Sequence, residues 1–499
     1  MSTPEPPAAT QSSGTVRPDP YPVRASMVLR VPRLWVLTLL IASVMVALIT
    51  AFYIASVVDP VAHLRDLPVI VVNEDNGATI GGQRLNIGHQ VEAGLTASHV
   101  LSSRLQIMTS DLPRARQTMD DNNAYATVVI PPNFTAALLT VSGAPVPRPA
   151  SARPAIDILT NDRSCTLGVG LATGFLHPGI DIASKQIGEQ LLARVPAAGS
   201  NPATRAVLSD PVVVTATPYR PLPPHSGLGL SAFYIALLTL TCGFLVGTIV
   251  HNGVDSGLGY ATTETGPRWR QSQPLPINRW QTLLVKWPVA AVLAAVVSGV
   301  ILAVAAGVLR MDAPNLTLLW LFMWLCSASV AAGTIVLFAV VGTYGQLLAL
   351  LLFVYLGLAS AGGTVPVQAL PGLLRVISPV DPLREILAGT RSILYFNAQG
   401  DTGLTGGVVA AALGLVFWLV LGTAVVRWYD RRGYERLSPE LLTHISESAA
   451  QYRAKQAASS TTSDAGSPGQ SDDALAAPRP ATPPVERTPE QSSGDEGSP

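Results

Sequence analysis

Residues 344–397 read YGQLLALLLFVYLGLASAGGTVPVQALPGLLRVISPVDPLREILAGTRSILYFN. The first part, Gln346 to Ala361, is apolar enough for a membrane helix, yet shorter than the roughly 20 residues needed to cross a bilayer unaided. Gly362 and Gly363 then break it. Pro366, Pro371, Pro379 and Pro382 interrupt the apolar runs that follow, so the backbone must bend repeatedly near one membrane face. Broken backbone at membrane depth survives only where it is buried in protein or lines a cavity. The stretch therefore predicts a re-entrant or interfacial hairpin packed against other helices, with Gly362, Gly363, Pro366, Pro371 and Pro379 as its turning points. The plainer reading is a Pro-rich loop between ordinary spans.

The rest of the composition agrees with a membrane setting. Hydrophobic residues make up 48% of the 499 and charged residues 13%, with a mean hydropathy of +0.37; a soluble domain carries about a quarter charged residues. Net charge is zero, so electrostatics suggest no nucleic-acid partner. Lysine occurs only at Lys185, Lys286 and Lys455, and none sits in a Gly-x-x-x-x-Gly-Lys-Ser/Thr phosphate loop. The chain is not itself an ATPase on this reading. Of the cysteines, Cys242 and Cys326 fall in apolar spans, leaving Cys165 without a partner for an intrachain disulfide.

In chain order, residues 1–22 are rich in Pro, Ser and Thr and read as a disordered cytoplasmic tail. Residues 23–58 hold a basic elbow segment and a first span, Leu34 to Val58, too long for a cleaved signal peptide. Arg17, Arg24, Arg30 and Arg33 precede it and Asp59 and Asp66 follow, which puts the amino end in the cytoplasm. Residues 59–226 contain no span. Strands are expected at Leu67 to Asn73, Ala124 to Ile130, Ala155 to Leu159 and Val212 to Thr217, with helices near 89–104, 111–121, 133–141 and 165–194. This predicts one mixed α/β extracytoplasmic domain. Residues 227–430 then supply spans at Leu228 to Val250, Val289 to Leu309, Leu316 to Val341, Gln346 to Ala361 and Gly406 to Val426. The total is six, none carrying a buried acid, and even parity returns the carboxyl end to the cytoplasm. Arg427, Arg431, Arg432 and Arg436 fit that side. Gly243 and Gly247 form a GxxxG better suited to close packing within the chain than to a dimer seam. From 431 to 499 the chain reads as a mostly disordered cytoplasmic tail, with one amphipathic helix after Tyr434.

Nothing in residues 59–226 has the spacing of an enzyme. His63, His89, His99, His177 and His225 are scattered, and no Gly-x-Ser-x-Gly elbow occurs. The acidic pairs Glu74-Asp75 and Asp120-Asp121 read as turns or helix ends, and Asn133-Phe-Thr as a helix start. No cofactor or metal is expected.

Two sets of residues carry a family likeness. Gly-Gly-Thr and Pro-Val within 362–367, Leu-Pro at 370–371, Ile-Ser-Pro at 377–379 and Gly-Thr-Arg at 389–391 resemble the last extracytoplasmic segment of type-2 ABC exporter permeases. LPVIVVNEDNGATIGGQRLNIG (67–88) and YATVVIPPNFTAALL (125–139) resemble signatures of the YhgE/Pip, or phage infection protein, branch. The domain has no room for the long stalk of the branch's phage-attachment members. The resemblance implies a bacterial plasma-membrane subunit in a homodimer or heterodimer, driven by a separate ABC ATPase and exporting an amphiphilic or cell-envelope compound. It further implies a coupling helix within Gly253 to Arg279, with Thr262, Glu264, Arg268 and Arg270 facing the ATPase. A solvated basic loop accounts for the same residues equally well. A non-transporting receptor or secretion scaffold is the alternative for the whole chain.

Overall fold

The computed structural model describes residues 30–80, 83–142, 154–194, 202–270, 272, 274–275, 277–434 and 436, with a few positions between 443 and 451. The expected tail 1–22, nearly all of the basic elbow, and the stripe expected of the helix after Tyr434 lie outside them. Helix α1 (Pro32–Val57) comes first. Its 26 residues span about 39 Å at 1.5 Å per residue. Val36, Leu37, Leu39, Leu40, Val44 and Val46 stand exposed along it, which suits lipid rather than water.

Strand β1 (Leu67–Asn73) is an interior strand of the sheet in the α/β lobe. Its Val- and Ile-rich run suits a strand covered on both faces. It pairs in parallel with β2 (Leu105–Thr109), Val69 opposite Ile107, and with β3 (Ala126–Ile130), Val71 opposite Val128. β3 runs antiparallel to β4 (Ala155–Thr160), which pairs in parallel with β5 (Val213–Pro218). The sheet order is thus β2-β1-β3-β4-β5. On one face Leu67, Val69 and Val71 pack with α2 (Ile87–Ala97), α4 (Phe134–Ser142) and α5 (Thr166–Arg194). Ile70 and Val72 point the other way, onto Ala115 and Met119 of α3 (Leu112–Asp120). Four strands stand within two residues of their expected bounds. β2 was not expected: with Gln106 and Thr109 exposed, this edge strand lacks the apolar density of the others.

Beyond the lobe come α6 (Leu230–Gly257), α7 (Arg279–Leu302), α8 (Leu316–Val341), a leg from Gly345 to Ser360, α9 (Pro382–Tyr395) and α10 (Leu404–Arg431). Five stretches among the described residues are long and apolar enough to cross a membrane, not six: Val36–Val57, Leu230–Gly257, Arg279–Val308, Leu316–Ser360 and Leu404–Arg431. The fourth contains both expected spans Leu316 to Val341 and Gln346 to Ala361. Gly342, at φ +74°, folds it back on itself. The second leg is opened by a π-helical run at Leu350–Leu356 and is short for a crossing helix. Gly243 and Gly247 let α6 touch α8 closely, since a Cβ on them would lie 2.8 Å from the Ser327 carbonyl and 2.7 Å from Thr334. The GxxxG is an intrachain contact, as its sequence suggested. Another expectation fails: α6 continues past Val250 and α7 begins at Arg279, so the spans do carry a buried acid, Asp255.

The lobe is locked by another acid. Asp75, in the turn after β1, is buried. Its carboxylate accepts from the amides of Gly77 at 3.2 Å, Gly88 at 3.1 Å and Thr135 at 3.0 Å, and from the Thr135 hydroxyl. The acidic pair Glu74-Asp75 is therefore a structural turn joining the segments 67–88 and 125–139. Asp75→Ala strands those donors at about 1–3 kcal/mol each for a buried group. A thermal melt of the purified protein is expected to show a Tm lower by about 5–10 °C, whereas an unchanged melt would refute the role.

Candidate functional site

The hairpin between the Gly345–Ser360 leg and α10 brings the five expected turning residues into one packed unit. Gly362 adopts φ +72°, and a Cβ on Gly363 would fall 2.2 Å from the Phe233 ring of α6. Pro366 leads into a tight turn at Val367–Ala369, Pro371 precedes the short helix Gly372–Ile377, and Pro379 sits in the turn Ser378–Val380. Each proline stands where a missing amide is least costly, at the start of a turn or helix. Asp381 then caps α9, accepting from the Leu383 amide at 2.9 Å. α9 lies among the long helices: a Cβ on Gly389 would be 2.3 Å from Phe322 of α8. Leu373, Val376 and Val380 remain exposed on the hairpin.

The broken backbone finds its partners in the lobe and in its own arginines. Arg391 donates to the Gly363 carbonyl at 2.9 Å, and Arg375 to the carbonyls of His63 at 3.1 Å and Gln368. The Arg65 amide donates to the Gln368 carbonyl at 3.0 Å. From the lobe, Arg163 reaches the Tyr395 carbonyl at 2.7 Å, and the buried Cys165 thiol lies 3.6 Å from the Thr364 carbonyl. Ala359, Val365, Ala369, Leu370 and Leu374 join the lobe's own apolar core. Hairpin and lobe are thus one packed body.

A cavity of about 390 Å³ lies between α8, the π-helical leg, α9 and α10. Leu352, Phe353, Phe417 and Trp418 give it apolar walls, while Asp381 and Glu385 supply carboxyl groups. Asp381 is 3% exposed and also accepts from the Ser360 hydroxyl at 3.1 Å. Burial pushes its carboxyl up to about 7, against the opposing pull of the Leu383 amide, the Ser360 hydroxyl and the Arg384 charge. The composition of the stretch signalled the hairpin, but nothing in the pattern singled out Asp381.

At the end of α6 away from the lobe, Asp255 ties three elements together. Its carboxylate lies 2.8 Å from Lys286 Nζ of α7, 3.0 Å from Arg436 Nη2 beyond α10, and 3.3 Å from His251 Nε2. Removing one partner of such a buried pair costs about 3–5 kcal/mol, so the cluster fixes how the helix ends meet. Between α6 and α7 the expected coupling helix is absent among the described residues. Strands β6 (Thr263–Thr265) and β7 (Arg268–Arg270) form a hairpin instead, turning at Gly266 with φ +58°. The run TETGPRWR places Gly-Pro between two short strands, a turn signal that outweighs helix. Thr262 and Glu264 are exposed, and Arg268 and Arg270 lie on the facing strand.

Long apolar helices, a packed broken hairpin and an α/β lobe inserted after the first helix define a multi-span helical membrane protein. Residues 38–421, more than three quarters of the chain, match the family model described as "Protein of unknown function (DUF3533)", and the chain belongs to that family. No curated protein matches. Among solved structures, a domain of a candidate ABC type-2 transporter from Thermotoga maritima MSB8 is similar at 21% identity with a TM-score of 0.21, over 30% of this chain and 85% of that one.

Two outcomes are expected. Gly363→Leu drives side-chain atoms into Phe233 and is expected to abolish monodisperse protein on size exclusion in detergent. Gly372→Leu, with nothing within 4 Å of its Cβ, is expected to behave as wild type; equal behaviour of the two would contradict this packing. Because folding raises the Asp381 carboxyl above its usual 3.8, its contribution is complete below about pH 4 and is lost as pH rises through about 7. Asp381→Asn carries no charge, still accepts from the Leu383 amide and donates its NH₂ to the Ser360 hydroxyl in place of accepting from it, so its Tm is expected to fall less than wild type's between pH 5 and 8.

Proposed function

We propose that this chain is the membrane-embedded, permease-like subunit of a type-2 ABC exporter, moving an amphiphilic or cell-envelope compound outward across a bacterial plasma membrane. The cavity between α8, the π-helical leg, α9 and α10 carries this reading. Its aromatic and aliphatic walls suit a hydrocarbon body, and its two carboxyl groups suit a polar or cationic end. Of the motifs resembling type-2 permeases, Ile-Ser-Pro at 377–379 contributes Pro379 to its lining. Arg427 and Arg431 in the last turns of α10, with Arg432 and Arg436 beyond it, support a cytoplasmic carboxyl end, with the lobe outside and the amino end inside. On this reading the short leg Gly345–Ser360 completes a sixth crossing with help from the hairpin. With no phosphate loop in the chain, energy comes from a separate ATPase, which docks on the β6–β7 hairpin at Thr262, Glu264, Arg268 and Arg270. Two copies, or a copy and a relative, enclose the path. The chain catalyses nothing itself and needs no cofactor.

The close packing of hairpin against lobe favours one competing reading, a receptor or scaffold holding its lobe rigidly. Retention of a cationic amphiphilic dye separates the two. Loss of the chain is expected to raise retention, and Ala410→Phe, which projects a ring into the cavity from α10, to fail to restore efflux at normal protein levels. Unchanged retention on deletion, with no ATPase copurifying in mild detergent, would favour the scaffold.

A further inference from the structure

A second cavity, of about 420 Å³, lies between the lobe and the hairpin, apart from the apolar one. Four arginines line it: Arg65 from the lobe and Arg375, Arg384 and Arg391 from the hairpin and α9. Asp66 supplies the one carboxylate of the lining, leaving a surplus of positive charge. Among the described residues none of the four arginines forms an ion pair. Their hydrogen bonds go to neutral groups. Arg375 and Arg391 bind the carbonyls described above, and Arg384 reaches the Ser378 hydroxyl at 3.3 Å. The Nε atoms of Arg375 and Arg391 are buried with no partner, as is Asn122 Oδ1, also in the lining. A guanidinium does not shed its charge by losing its proton, so four positive charges share one recess with the single carboxylate of Asp66. The Asn122 amide, turned over, would present its NH₂ to the same space.

We propose that this recess binds a phosphate-bearing anion. A phosphate carries the charge that one carboxylate leaves uncompensated, and its oxygens accept the paired N–H bonds that a planar guanidinium offers. The volume exceeds a bare phosphate and takes in part of an organic ester. Leu373, Val376 and Val380, exposed on the same hairpin, place lipid within reach, so the phosphate is either a lipid headgroup or a soluble one. The site acts whether or not the chain transports, and occupancy would join lobe to hairpin through an anion common to both.

Thermal melts of the full-length protein test this in two arms. In detergent, delipidated protein is titrated with inorganic phosphate or glycerol 3-phosphate against sodium chloride of equal ionic strength. In nanodiscs, phosphatidylcholine alone is compared with phosphatidylcholine containing phosphatidylglycerol, and native mass spectrometry reads retained lipid. A saturable rise in Tm in the first arm identifies a soluble phosphate; a rise or retained phosphatidylglycerol only in the second identifies a headgroup. The double variant Arg65→Gln/Arg384→Gln removes the two guanidiniums least engaged with backbone, and binding in the responding arm is expected to weaken about tenfold or more. No saturable wild-type response in either arm, or an equal response in the double variant, would overturn the proposal. The wild-type titrations decide it even if the variant does not fold.

Discussion

A chain that breaks its helix among apolar neighbours must still find partners for its amides and carbonyls. In this protein that requirement falls on residues 361–381, where the hairpin's own turns leave carbonyls that α9 and the lobe help to satisfy. Arg391 of α9 caps the Gly363 carbonyl, the Arg65 amide and the Arg375 guanidinium share the Gln368 carbonyl, and Arg163 of the lobe caps the Tyr395 carbonyl at the end of α9. The lobe's core extends onto Val365, Ala369, Leu370 and Leu374. The lobe is therefore more than an insertion between two helices, because without it the hairpin's polar backbone would lose several of its partners.

Tyr395 extends the same stitching. At the end of α9 its hydroxyl lies 2.8 Å from the Ser231 hydroxyl and accepts from the Ala232 amide at 3.3 Å, while its carbonyl takes the Arg163 guanidinium. Lobe, α6 and α9 meet at this one residue. At the far end of α6, Asp255 does the corresponding work with Lys286 and Arg436. α6 is thus pinned by polar contacts at both ends and by small residues against α8 between them.

Much of the architecture was legible in one dimension. Uninterrupted apolar length marked the long helices, and the runs LPVIVVN and ATVVI marked the two central strands, since burial on both faces demands such composition. The glycines and prolines of 362–379 marked a hairpin because their effect on the backbone is local. Edge strand β2 escaped notice, as did the hairpin β6–β7, where a likeness to other permeases suggested a helix and the local Gly-Pro turn prevailed. Hydropathy also divided the apolar stretch 316–361 where Gly342 folds it and marked its second leg as short, without revealing that this leg is π-helical.

By itself, the sequence determined what depends on composition and neighbouring residues: membrane class, the positions of helices and central strands, and where the backbone must turn. Only the tertiary structure decided which distant side chains meet. Asp255 with Lys286 and Arg436, Asp381 in an apolar cavity, Asp75 beneath Thr135, and four arginines around one recess are all products of packing. An isolated charge in a sequence looks the same whether solvent or protein surrounds it. Its energy, and hence its role, depends on neighbours that the fold brings from far along the chain.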